Sequence, residues 1–202
     1  MRQNLMVNNS RAQVEKVAGI LAECFIDDPF FDFVFGEIPN KLNAYNGFFE
    51  LFIADAMERG KCAIAPEEQG ACVWYPAGVE IFNDRFEQIL VEVVALVSRF
   101  AGEKSGKRYE NLIQKMGGLE PTETHCEVFF IGLKPPARGK GIGKSLLQTA
   151  LDCADTKRVG CYLVSSNPRN ISFYKRHNFQ ELGAIELSAT YSMTGMWRDF
   201  AN

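Results

Sequence analysis

The stretch Leu133-Lys-Pro-Pro-Ala-Arg-Gly-Lys-Gly-Ile-Gly-Lys-Ser145 decides how this chain is read. It follows a nearly continuous apolar run, His125–Leu133, of the kind that forms a buried central strand. It leads into Ile142–Lys157, where Leu146, Leu147, Ala150, Cys153 and Ala154 recur on one helical face. Strand, glycine turn and helix in that order turn several backbone N–H groups outward at a helix N-terminus, where the dipole favours an anion. Glycine lets a phosphate approach the backbone where a Cβ would stand in the way, and Arg138, Lys140 and Lys144 add positive charge. The turn therefore predicts a phosphate or pyrophosphate site.

Two common nucleotide motifs fail at a required glycine. A P-loop ending in Gly143-Lys144-Ser145 needs glycine at 138, which is Arg. A dinucleotide fingerprint starting at Gly139 needs glycine at 144, which is Lys; starting at Gly141 it needs glycine at 146, which is Leu.

Outward from the turn, the chain alternates helical and strand-like segments. Asn9-Ser10 reads as an N-cap before Val14, Val17, Ala18, Leu21 and Phe25, and Asp28-Pro29 stops or bends that helix. Helical stretches are expected over Lys41–Met57, Ile81–Phe100 and Lys104–Met116. A hairpin is expected from Lys61–Ala65 and Ala71–Tyr75. Beyond the turn come a strand at Cys161–Ser165, a short helix at Arg169–Arg176 and closing strands at Phe179–Leu187 and Ala189–Trp197. The plan is α/β, a mixed sheet with helices on both faces, in one domain spanning 1–202.

Composition narrows the function classes. Hydrophobic residues make up 47% and charged residues 23% of 202 residues, with a net charge of −3, so nucleic acid and anionic membrane are not expected partners. No apolar run reaches membrane-spanning length, and Met1–Ser10 lacks the apolar stretch of a secretory leader. The six cysteines form no CxxC pair and read as reduced and structural, and the expected compartment is the cytoplasm. With His125 and His177 far apart, no metal site is expected.

The spacing of Arg138, Gly141 and Gly143 fits Arg/Gln-x-x-Gly-x-Gly/Ala, and in this the chain resembles the GNAT (GCN5-related N-acetyltransferase) superfamily. Tyr162-Leu-Val-Ser-Ser-Asn-Pro-Arg-Asn-Ile-Ser-Phe-Tyr-Lys-Arg-His-Asn-Phe179 looks like the second half of that pattern, with Asn178 where the family usually has Gly. Asn tolerates left-handed backbone, so the turn survives. Around Phe25-Ile-Asp-Asp-Pro-Phe and Ala71-Cys-Val-Trp-Tyr-Pro the chain also resembles the small-molecule branch that includes puromycin N-acetyltransferase. The resemblance implies a mostly antiparallel sheet whose central parallel pair splays around coenzyme A, with 1–120 on the acceptor side and 121–202 on the acetyl-CoA side. It implies acetyl-CoA contacts from Ile131, Leu133, Arg138, Gly139, Lys140, Gly141, Ile142, Gly143, Lys144, Asn167 and Tyr174, with the Leu133 N–H facing the oxyanion.

Acetyl transfer to an amine needs a base to free the nitrogen's lone pair and an acid for the departing thiolate. Tyr174 is the candidate acid. Glu127 is the candidate base, because it interrupts an apolar strand where burial raises a carboxyl pKa. It also lies eleven positions before Arg138, the offset of a catalytic glutamate in the histone acetyltransferase branch. The puromycin-type branch tends to carry an aromatic residue there, and His125, two residues away on the same strand face, is an alternative base. Asp27 and Asp28 either attract a cationic amine or serve the turn. Phe25–Phe35 and Ile81–Phe100 supply either an apolar acceptor pocket or core. The expected function is N-acetyl transfer from acetyl-CoA to a primary amine of a small molecule or peptide in a ternary complex, by a monomer or homodimer. The alternative is a non-catalytic CoA-binding regulatory module.

Overall fold

The computed structural model describes the backbone of residues 2–201 and the side chains of 11–116 and 118–201. Six strands form one sheet in the order β1-β2-β3-β4-β6-β5, where β1 is Lys61–Ile64, β2 Gly70–Tyr75, β3 His125–Leu133, β4 Gly160–Ser165, β5 Gln180–Glu186 and β6 Ser192–Arg198. Every pairing is antiparallel except β3 with β4. That pair is parallel, as the intervening helix α6 (Ile142–Lys157) allows.

The parallel pair separates partway along. Its register covers only His125↔Gly160 to Val128↔Leu163. Beyond Val128, β3 pairs with β2 alone, while Val164 and Ser165 of β4 pair with β6 alone. The expected splay is therefore present. A β-bulge accompanies it: Val73 faces Phe130 and Trp74 faces Val128, leaving Phe129 as the extra residue on β3. The bulge changes the alternation of side chains. Cys126, Val128, Ile131 and Leu133 pack on one face with α6, while Phe129 and Phe130 both join the core on the other.

That other core is made by α1 (Arg2–Cys24), α3 (Lys41–Arg59), α4 (Asp84–Ala101) and α5 (Glu103–Met116), with the short α2 (Pro29–Phe35) wedged among them. Phe25, Phe31, Phe48, Phe49, Phe52 and Phe130 contact one another mostly edge-on or tilted, as in Phe49 against Phe130 at 5.1 Å. Gly132 lets α1 approach closely, since a Cβ there would stand 2.7 Å from the Cys24 Cβ.

Several helix limits differ from the sequence reading. The first helix begins at Arg2 rather than behind Asn9-Ser10, whose side chains lie outside the described residues. It ends at Cys24, before Asp28-Pro29, and that dipeptide instead opens α2, with Asp28 accepting from the Phe30 N–H at 3.0 Å and Pro29 at the first helical position. The helix expected from Ile81 starts at Asp84, because the Asn83 side chain caps the Phe86 N–H. The short helix expected over Arg169–Arg176 divides into a 3-10 turn, Pro168–Asn170, and α7, Ile171–Lys175. All six cysteines are free thiols, and four of them are buried. Among the described residues, no helix is long and apolar enough to cross a membrane.

Candidate active site

The glycine turn takes the shape the sequence predicts. Gly139 and Gly141 have φ of 77° and 81°, a left-handed backbone that strains other residues, and a Cβ on either would meet no protein atom within 4 Å. The space beyond them is open, so these two glycines serve the backbone path and whatever lies against it. Among the described residues, the amides from Gly139 to Gly143 have no backbone acceptor; the first bonded one is Lys144 N–H, to Gly141 O at 3.1 Å. Lys140 and Lys144 are exposed beside these amides. Gly143 differs: its Cβ would make ordinary contacts with Leu133 and Phe173, at 3.4 Å or more.

Arg138 does something the sequence reading did not anticipate. Its guanidinium donates to the carbonyls of Leu133 at 3.2 Å and Cys24 at 2.9 Å, pinning the turn to the end of β3 and to α1. Asn167 likewise works locally, its side chain accepting from the Arg169 N–H at 3.1 Å to cap the turn after β4. Asn178 adopts φ 66°, the left-handed conformation required where a glycine is usual.

At the end of β3, Lys134 N–H donates to Gln69 O across β2. By strand alternation, the N–H groups of Ile131 and Leu133 then point away from β2, into the splay. Neither residue has a β4 partner there.

The splay opens into a cavity of about 410 Å³. Its sheet side carries Glu127, Tyr162, Ser165 and Tyr174, and its helical side carries Phe30, Phe48, Phe52, Phe86 and Leu112. The cavity thus draws on both halves of the chain. Glu127 and Tyr162 are register partners on β3 and β4, so they share a strand face. Glu127 Oε2 and the Tyr162 hydroxyl are both buried without a hydrogen-bond partner. An unpaired buried polar atom is costly, and two on one cavity face mark a place for a polar ligand group.

Burial pushes the Glu127 carboxyl up to about 8, and the nearby charge of Glu120 pushes the same way. On the other side of Glu127 stands Tyr75, its register partner on β2, whose hydroxyl is already committed to Asp55 Oδ2 at 2.7 Å. Asp55, itself buried, is in turn held by the partly exposed Arg59 and Arg85.

A second, more open cavity of about 440 Å³ lies outside the first, and Phe82, Glu120 and Glu127 line both. His125 lines only the outer one, and its Nδ1 meets the Glu123 carbonyl at 2.6 Å. Ligand atoms of Glu120, His125 and Glu127 all lie within 4.8 Å of one another, a grouping that the distance between the two histidines in sequence did not suggest. Glu120 was missed because it sits in a polar loop with no local pattern around it. Tyr162 carried a usable signal, a tyrosine inside an apolar strand, but its value depends on the β3–β4 register.

Tyr174, on α7, is buried and faces the inner cavity; burial raises its phenol above the ordinary value. Asp28 is buried as a helix cap, and Ile81 is buried ahead of α4.

Residues 80–179 match the model of the acetyltransferase (GNAT) family. Among solved structures, the one described as histone acetyltransferase HPA2 and related acetyltransferase from Corynebacterium glutamicum ATCC 13032 aligns with a TM-score of 0.68 at 21% identity, covering 95% of this chain and 93% of that one. The C-terminal condensation domain of Ebony, in complex with beta-alanyl-dopamine, aligns with a TM-score of 0.59 at 11% identity over 95% and 94%. PH1933 from Pyrococcus horikoshii OT3 gives 0.55 at 13% over 93% and 92%. At these identities the likenesses speak to the fold.

Proposed function

Because this chain belongs to the acetyltransferase (GNAT) family, we propose that it moves an acetyl group from acetyl-CoA to a primary amine by direct transfer in a ternary complex. The observation that carries this reading is the pair of unpartnered polar atoms, Glu127 Oε2 and the Tyr162 hydroxyl, facing a cavity at the splay. A regulatory module that only held CoA would have no use for an acceptor-side cavity ending in a buried carboxylate.

The glycine turn binds the pyrophosphate through the amides of Gly139, Lys140, Gly141, Ile142 and Gly143, assisted by Lys140 and Lys144. Arg138 and Asn167 hold the two walls of the cleft in shape. The pantetheine lies between the separated strands, with the thioester carbonyl toward the amides of Ile131 and Leu133, which receive the charge that develops on its oxygen.

Glu127 is the base. Its raised pKa keeps it protonated in the empty site at neutral pH, and an incoming ammonium beside it favours the carboxylate. The substrate therefore generates the base form that serves it. Glu120 and His125, in the outer cavity, carry the proton on to solvent. The freed nitrogen lone pair attacks the thioester carbonyl carbon; the C–N bond forms, the C–S bond breaks, and the acylated nitrogen sheds its surplus proton to water, which replenishes the proton given to the thiolate. Tyr174 stays a neutral phenol, so it orients the sulfur and gives up its proton only as thiolate charge develops.

The test mixes the protein with acetyl-CoA and a panel of primary amines, follows free thiol release and identifies the product by mass spectrometry. Amine-dependent thiol release with an N-acetylated product supports the reading. Acetyl-CoA binding without turnover of any amine would replace it with the regulatory module.

A further inference from the structure

The acceptor's chemical class can be read from the inner cavity, given the acetyl-transfer reading above. Its walls are sharply divided. The sheet side presents Glu127, Tyr162 and Ser165, while the helical side, apart from the Tyr109 hydroxyl, presents apolar and mostly aromatic groups. Phe52 belongs to that wall, 5.8 Å from the Phe86 ring and 5.7 Å from the Phe129 ring. The bulge at Phe129 is what turns two consecutive phenylalanines of β3 toward the helices.

Each feature restricts the ligand. The carboxylates lining the inner cavity are Glu120 and Glu127, which lie together. One cationic nitrogen is satisfied there, but a second ammonium deeper in the cavity would be buried against phenylalanine rings without a counter-charge. Hydroxyl-rich or peptide-like acceptors would likewise lose their hydration along the helical wall with nothing to replace it. An aromatic ring suits that wall, because edge-on packing against phenylalanine favours it beyond area burial alone.

The route inward has the same character. Phe82 is 48% exposed and borders both cavities. It lies where the two cavities meet and packs edge-on against Phe86 at 5.0 Å.

We infer that the acceptor is a primary amine on a short alkyl arm bearing an aromatic ring, with the ring among Phe52, Phe86 and Phe129 and the ammonium between Glu127 and Glu120. The amine reaches the inner cavity from the outer one, past Phe82.

The experiment compares 2-phenylethylamine and tryptamine with spermidine and a lysine-containing peptide as acceptors, in wild type and in Phe82→Ala, whose exposed position spares the fold. The expected kcat/KM for the aromatic amines exceeds that for the hydrophilic ones by about 100-fold or more, the scale on which a misfit between polar groups and an apolar pocket discriminates. Phe82→Ala is expected to raise KM for 2-phenylethylamine about five-fold, a modest loss of apolar contact, while calorimetric acetyl-CoA binding is unchanged. Efficient acetylation of spermidine or the peptide, with the aromatic amines poor, would overturn this inference and leave the acetyl-transfer reading standing. Binding of acetyl-CoA with no turnover of any amine would remove both.

Discussion

The two sides of the β3–β4 splay are built by opposite means. On the glycine-turn side the surface is backbone: consecutive amides from Gly139 to Gly143, with the Arg138 side chain drawn away to hold carbonyls. On the helical side the surface is side chain, gathered from α2, α3, α4, α5 and β3. A backbone site recognises one chemical group and tolerates little change in its path. A wall of side chains is specified by volume and polarity, so it can be reshaped one residue at a time. The comparison teaches that the glycine-turn side is fixed by a local motif and the helical side by tertiary packing.

The sharpest way to break this account lies at the carboxylate between the two sides. Glu127→Gln is expected to lower kcat/KM by roughly 100- to 1,000-fold, within the range for losing a general base, while acetyl-CoA affinity stays as in wild type. The wild-type kcat/KM, which reports the free enzyme, should rise with pH through about 8 as Glu127 loses its proton, and the variant's residual kcat/KM should lose that rise. A parallel loss of acetyl-CoA binding would mean that the two sides are not separable. Tyr174→Phe keeps the ring and removes the proton, and is expected to lower kcat by about 10-fold or more, with little change in KM for either substrate. Stopped-flow measurement of thiol release gives the split directly.

Two smaller effects refine the comparison. A Cβ at Gly143 meets ordinary contacts, so Gly143→Ala is expected to weaken acetyl-CoA binding only about two- to five-fold, under about 1 kcal/mol. A loss as large as that from a change at Gly141 would show that the backbone surface extends further into the helix. Burial of Glu127 also has a stability consequence. Its pKa is raised from 4.5 to about 8 on folding, so between those values the unfolded chain has released a proton that the folded one keeps. Wild-type stability therefore falls as pH rises through that window and levels off above it. Glu127→Gln should remove this dependence, leaving the variant more stable than wild type by about 1 kcal/mol or more near pH 9 and similar to it near pH 4. Urea unfolding at the two pH values reads the difference.

The sequence made some of this architecture plain and concealed the rest for physical reasons. The turn at Arg138–Lys144, its strand and its helix could be read because each depends on neighbours along the chain. The same holds for Glu127, a charge in an apolar strand. The bulge at Phe129 could not be read, because it exists only relative to the β2 register, and with it went the direction of Phe129 and Phe130. Glu120 joins Glu127 and His125 through a loop fold that leaves no periodic trace. The bonds from Arg138 to the carbonyls of Leu133 and Cys24 could not be read either, because those partners carry no signature in sequence. Asp28-Pro29 was read as a helix end and proved to be a helix beginning, since the same dipeptide suits both and only the geometry around Phe30 decides.

The central claim is that the backbone of the glycine turn holds acetyl-CoA. Calorimetric titration of acetyl-CoA into wild type and Gly141→Asp, with ATP and NADH as controls, tests it most directly. The account predicts micromolar acetyl-CoA binding to the wild type, no comparable binding of the nucleotides, and a loss of at least about 100-fold in the variant, with the fold preserved by circular dichroism. This corresponds to roughly 3 kcal/mol for placing a strained, anionic side chain where an anion should lie. Equal acetyl-CoA affinity in the two proteins, or tighter binding of ATP, would contradict it.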